Sequence, residues 1–221
     1  MSRSSKLIAM LAAAAVMLVT GALGAFADFP AAPKDTAAMM KGTQTAVLAG
    51  GCFWGMEGVF ERLKGVVDVT AGYSGGAKET AFYEMVGSGT TGHAESVQIH
   101  FDPTTISYGT ILKVFFSVAH DPTQLNYQGP DHGTQYRSVI FYANDGQKQV
   151  AEAYIRELDA AKVYPQKIVT QVVPLKAFYP AEDYHQKFLD KNPDYPYIVY
   201  WDLPKLANLK HTYPDLVVDG M

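Results

Sequence analysis

The chain has 221 residues, 48% of them hydrophobic and 12% aromatic, with 18 Lys+Arg against 22 Asp+Glu and a single cysteine. That length suits one large domain or two small ones and leaves ample material for a core. The net charge of −4 gives no basic footprint for nucleic acid. Abundant aromatics argue against disorder, and one cysteine excludes an internal disulfide, a cysteine-built zinc site and an iron–sulfur cluster.

The chain opens as an address. Arg3 and Lys6 precede an apolar run from Leu7 to Phe26, and Ala25-Phe26-Ala27 has the small-x-small form of a secretory cleavage site. Residues 1–27 are therefore expected to be a signal peptide cut after Ala27, with the domain secreted or periplasmic and free of the membrane once cut. An uncleaved anchor facing outside the cytoplasm is the alternative, because the run is long enough to span. Residues 28–43, rich in Ala, Pro and Lys, read as a flexible lead-in.

Residues 44–221 read as a single domain. Thr45 to Ala49 is a short apolar strand, stopped by Gly50-Gly51. Met56, Val59, Phe60 and Leu63 recur at helical spacing and predict a helix there. Val67 to Val69 is a strand running into a glycine-rich turn, Gly72 to Gly76. Val97, Ile99 and Phe101 alternate with polar residues as in a half-buried strand. Ser107 can cap a helix carrying Ile111, Leu112, Phe115 and Phe116, which ends before Asp121-Pro122. Ser138 to Tyr142 is a strand. Asp145 can cap a helix with Val150, Ala153, Tyr154 and Leu158 on one face. Ile168 to Val173 is a strand stopped by Pro174, and Ala181 to Leu189 a short helix. From about Asn192 four prolines predict an irregular tail packed on the domain as an extended cover. The order implies an α+β two-layer sandwich with a mixed or antiparallel sheet and a ferredoxin-like core. No coiled-coil or repeat pattern is present, so a monomer is expected.

Cys52 lies between the first strand and the first helix. The helix N–H groups there can lower a thiol's pKa and favour the nucleophilic thiolate. Phe53 and Trp54 follow at once and can form an apolar wall for a small soft group. A buried, inert cysteine beside two core aromatics is the plain alternative. His93, His120, His132 and His185 fit no standard metal spacing.

The segment Gly51 to Gly55, GCFWG, resembles the active-site signature of the A-type peptide methionine sulfoxide reductases. Further blocks resemble that family in order: AGYSGG at Ala71–Gly76, GSGTTGHAE at Gly87–Glu95, HDPT at His120–Thr123, GPDHGTQYRS at Gly129–Ser138 and AEDYHQ at Ala181–Gln186. The resemblance implies reduction of the S epimer of methionine sulfoxide, free or in oxidised proteins, with no cofactor and no metal. It implies Cys52 as nucleophile and Glu95 as acid, its pKa raised by burial toward about 6–7. It implies Tyr83 and Tyr136 as phenol donors to the sulfoxide oxygen. Phe53 and Trp54 would hold the S-methyl group, and Asp131 and Tyr184 would bind substrate or steady the pocket.

The sequence also departs from the family. Many members carry further cysteines near the C-terminus that resolve the sulfenic acid; here none follows Cys52. The sulfenic acid would then await an external thiol: a thioredoxin- or glutaredoxin-like protein, or a small thiol. Tyr127 stands where many members have arginine. Two other readings stay open. One is a cysteine hydrolase or acyltransferase pairing Cys52 with His120 or His185; the other is a non-catalytic module that binds oxidised methionine.

Overall fold

The computed structural model describes residues 29–31 and 42–218. The proposed signal peptide lies outside the described residues. The core of the described fold is a βαββαβ unit. Strand β1 (Gln44–Ala49) leads to helix α1 (Phe53–Glu61), and strands β2 (Val66–Ser74) and β3 (Ala94–Phe101) follow, separated by the short helix α2 (Tyr83–Val86). Helix α3 (Tyr108–Val114) continues as a π-helical turn, Phe115–Ala119. A two-stranded ribbon, β4 (Tyr127–Gln128) and β5 (Asp131–His132), precedes β6 (Val139–Tyr142). The four main strands lie in the order β6-β1-β3-β2, with every neighbouring pair antiparallel. This is the ferredoxin-like arrangement that the sequence order implies.

The sheet is extended on both sides. Helix α4 (Asp145–Ala160) carries the chain to β7 (Gln171–Pro174), parallel to β6, and β8 (Phe178–Pro180) pairs antiparallel with β2. Alternation divides β1 between two cores. Ala46 and Leu48 join the large cluster under the helices, with Phe53, Met56, Phe60, Ile99 and Phe101. Val47 and Ala49 join a smaller cluster on the other face with Ala94, Val139 and Phe141. The period of two in a strand requires this division.

Several local expectations are corrected. Gly72 to Ser74 continue β2, and the chain turns only at Gly75, whose φ of +105° suits glycine. The cap of α4 is Asn144, whose side chain accepts from Gln147 N at 2.9 Å; Asp145 is the first helical residue. Its buried face runs through Gln147, Ala151, Tyr154 and Leu158, so Val150 and Ala153 flank it. The strand expected at Ile168 to Val173 is Gln171–Pro174, with Pro174 inside it. Ala181 to Lys187 forms turns, and only α5 (Phe188–Lys191) is helical. The Gln186 side chain explains this: it accepts from Ala71 N at 3.0 Å and donates to Ala71 O and Ala181 O at 2.9 Å, tying the segment to β2.

The tail is not irregular. Ile198–Asp202 makes a π-helical turn that runs into α6 (Leu203–Thr212), which packs on α1. Pro204 sits in the first turn of α6, where its missing N–H costs nothing, so a residue read as a breaker is a helix start. The lead-in also differs from expectation where it is described. Phe29 is buried against Tyr154 and Tyr164, and Tyr154 Oη donates to Pro30 O at 2.6 Å.

Candidate active site

Cys52 occupies the N-cap position of α1, held at φ −56° and ψ 127°. Its side chain is buried, and Trp54 N–H points back to the sulfur. Glu95, the second residue of β3, is also buried, and its Oε2 accepts from Phe53 N at 3.1 Å. The carboxyl of Glu95 thus takes up an amide that the start of α1 leaves free.

Burial sets the protonation of both groups. It pushes the Cys52 thiol well above its ordinary value, and the charges of Glu95, Asp202 and Asp131 push the same way against the Trp54 N–H bond. The helix start therefore does not give a resting thiolate, contrary to the sequence expectation. Burial also pushes Glu95 up to about 8, with the Phe53 N–H bond opposing. That is higher than the expected 6–7. Glu95 holds its proton at pH 7.

Phenols surround the pair. Tyr83 opens α2, and Glu182 fixes it by accepting from Tyr83 N at 2.9 Å while also accepting from Tyr73 Oη at 2.9 Å. Burial, then Glu95, raise Tyr83 to about 12. Tyr136 ends the 3₁₀ turn Thr134–Tyr136 and is raised further by burial and by the charges of Glu95 and Asp131. Both are neutral donors at pH 7. Asp131, raised by burial, accepts from Tyr197 Oη. These residues lie apart in sequence, but in the fold each is near enough to Cys52 for the two to act on one another's charge.

Trp54 is the organised wall. Its Nε1 donates to His185 Nδ1 at 3.1 Å, and its ring stacks on Phe188 at 3.8 Å and 10°. Tyr195 and Tyr197 meet it edge-on at 6.2 and 5.8 Å. Phe53 differs from its expected place: it has no exposed surface and is wedged between Tyr73 and His185, so it backs the site. Tyr184 is 55% exposed, lies on His185 at 4.2 Å and is near enough to Tyr83 to add to its shift.

Several site residues escaped the sequence reading. Phe188, Tyr197, Glu182 and Asp202 hold site groups and were not singled out, and His185, weighed only as a metal ligand or a Cys52 partner, accepts the Trp54 indole N–H instead. Glu57 on α1 is buried and accepts from Lys187 N at 2.7 Å. Lys187 is left-handed, with φ +55°, and the next residue is the stacked Phe188. Glu57 therefore fixes the corner that presents the Trp54 stack. Burial raises it to about 8, with Glu61 adding to the shift.

The histidines do not make a cysteine–histidine pair. His120 spends Nδ1 on Phe115 O at 2.9 Å and Nε2 on Ser138 Oγ at 2.7 Å, and burial lowers it to about 4. The Nδ1 of His185 accepts the Trp54 indole N–H. A buried thiol beside a protonated carboxyl and neutral phenols defines a thiol enzyme site of a different kind from a Cys–His hydrolase.

The comparisons agree. Residues 44–215 match the family profile described as Peptide methionine sulfoxide reductase. The chain is 63% identical over 175 residues to peptide methionine sulfoxide reductase MsrA 2 of Mesorhizobium japonicum, covering 79% of this chain and 90% of the relative. It is 54% identical over 183 residues to a protein of the same name from Synechocystis, covering 83% and 85%. Among solved structures, the reduced form of Mxr1 from Saccharomyces cerevisiae superposes with a TM-score of 0.64 at 36% identity, over 69% of this chain and 87% of that one. Methionine sulfoxide reductase A of Corynebacterium diphtheriae gives 0.61 at 37%, over 71% and 78%. The chain belongs to the peptide methionine sulfoxide reductase family and is an oxidoreductase of the A type.

Proposed function

We propose that this enzyme reduces the S epimer of methionine sulfoxide, free and in oxidised proteins, through Cys52. The observation that carries the reading is Glu95: a buried carboxyl, protonated at pH 7, bonded to the amide next to Cys52. The Cys52 sulfur attacks the sulfoxide sulfur. Glu95 lends its proton to the sulfoxide oxygen and recovers the proton of the thiol. The substrate S–O bond breaks, and Cys52 gains the hydroxyl as a sulfenic acid. The substrate sulfur gains two electrons and Cys52 loses two. Tyr83 and Tyr136 donate to the oxygen as charge gathers there, Trp54 meets the methyl group with Phe53 behind it, and Asp131 steadies the rim.

Cys52 is the only cysteine in the sequence, so an external thiol completes the cycle. It attacks the sulfenic acid, water leaves, and a second thiol resolves the mixed disulfide. A thioredoxin- or glutaredoxin-like protein or a small thiol fills this part. The Arg3/Lys6 start, the apolar run from Leu7 to Phe26 and the Ala25-Phe26-Ala27 site support work outside the cytoplasm in this reading. N-terminal sequencing of exported protein is expected to begin at Asp28.

The test is an assay on separated epimers with dithiothreitol. The wild type is expected to consume the S epimer and Cys52→Ser to consume neither. Without thiol, one equivalent of substrate is expected to leave a +16 mass on Cys52. Turnover of the R epimer alone, or an unmodified enzyme after thiol-free turnover, would sink the proposal.

A further inference from the structure

The C-terminal segment sets an ion pair against the turn that carries Cys52. Asp202 is fully buried, and Lys205 Nζ donates to its Oδ1 at 3.1 Å. The pair fills the space where a side chain on Gly55 would stand. A Cβ there would overlap Asp202 Oδ1 and come within 2.7 Å of its Cγ and 2.9 Å of Lys205 Nζ. Gly55 is the third residue of α1, three positions after Cys52. The bare backbone of that turn is what admits the pair. Asp202 Oδ2 is buried with no hydrogen-bond partner, so the carboxylate is held by Lys205 and by its position against α1.

We propose that Asp202 and Lys205 are a positioning unit for Cys52, which fixes the first turn of α1 from the C-terminal segment and sets the charge felt at the sulfur. The inference rests on reading Cys52 as the nucleophile. The groups facing the thiol are Glu95 from β3, Asp131 from β5 and Asp202 from the C-terminal segment, with the phenols of Tyr83, Tyr136 and Tyr197. All three carboxyls oppose thiolate formation. Lys205 acts on both Asp202 and Asp131 and favours their charged forms. With the pair intact, the Lys205 ammonium 3.1 Å from the Asp202 carboxylate offsets part of its charge at the sulfur. Neutralising Asp202 alone leaves a bare ammonium near α1, and neutralising Lys205 alone leaves a bare carboxylate.

A single cysteine makes the test clean, because intact mass then reports alkylation of Cys52 alone. The rate with iodoacetamide is measured at fixed pH and across a pH series. Asp202→Asn is expected to speed alkylation about tenfold at fixed pH, equal to a fall of about one unit in the thiol's midpoint. Adding Lys205→Met to Asp202→Asn removes both charges and is expected to bring the rate back from that of the single variant toward that of the wild type. A purely structural role would move thermal stability without this return. An Asp202→Asn rate that is unchanged or slower, or a double variant as fast as the single one, overturns the proposal. Should circular dichroism show Asp202→Asn unfolded, Lys205→Met alone decides. It is expected to slow alkylation, and an unchanged or faster rate overturns the proposal. These rates do not depend on sulfoxide turnover, so their failure is distinguishable from failure of the reductase reading.

Discussion

Glu57 offers the sharpest test of how the wall of the site is built. Its carboxyl is 1% exposed, accepts Lys187 N–H through Oε2, and leaves Oε1 without a partner. Burial raises it from 4.5 to about 8. The folded protein therefore holds this proton more tightly than the unfolded chain does. The resulting stability is complete below the unfolded value and is lost as pH rises through about 8. Glu57→Gln keeps the shape and the acceptor but has no proton to lose. At about 1.4 kcal/mol per unit, with the group half titrated at pH 8, the wild type is expected to lose about 2 kcal/mol relative to Glu57→Gln between pH 6 and pH 8. Glu57→Leu orphans the Lys187 amide instead and is expected to cost about 1–3 kcal/mol relative to Glu57→Gln at any pH. It should also raise KM for methionine sulfoxide more than it lowers kcat, because Phe188 loses its fixed corner beneath Trp54. Urea unfolding followed by circular dichroism at the two pH values measures the first effect, and steady-state kinetics the second. Parallel stability curves for wild type and Glu57→Gln would refute the reasoning.

Three further outcomes follow from named contacts. A Cβ on Gly72 would overlap the Tyr179 carbonyl oxygen and come within 2.9 Å of Phe178 Cε2. Gly72→Ala is therefore expected to lose about 1–3 kcal/mol and to speed amide exchange in β8, measured by mass spectrometry. Tyr197→Phe removes the donor to Asp131 and is expected to raise KM several-fold, equivalent to about 1 kcal/mol, with a smaller change in kcat. Tyr154→Phe removes the bond to Pro30 O and is expected to speed proteolysis near Phe29 while leaving turnover intact.

Much of this was legible because the signals are local. The apolar run of β1, the α1 spacing of Met56, Val59 and Phe60, and the Ser107 cap all fall where the sequence points to them, and Leu63 lies just past the end of α1. The residue blocks that resemble the family singled out Cys52, Glu95, Tyr83, Tyr136 and Asp131, which the fold brings together. The C-terminal segment was not legible because its burial runs against polarity. Val199, Tyr200 and Trp201 are 41%, 73% and 45% exposed, whereas Asp202 is fully buried. No hydrophobic pattern points to a turn packed through an aspartate, and the helix that follows buries only Leu206 and Leu209. The Ala181 to Lys187 segment failed for a similar reason: the polar side chain of Gln186 replaces the backbone bonds a helix would have made. The resting state of Cys52 was misjudged because a helix start was weighed without the desolvation and the three carboxyls that tertiary structure adds.

The edges of the sheet have a meaning beyond topology. Of its inner strands, β1, β2 and β3 run for six, nine and eight residues and β6 for four; the outer strands β7 and β8 run for four and three, and each ends in a proline. Proline offers no N–H to an incoming strand, and so short a border gives a foreign chain few places to pair. An enzyme that repairs oxidised proteins works among partly unfolded chains with unpaired backbone. The abbreviated borders let it handle such chains without becoming a template for their aggregation.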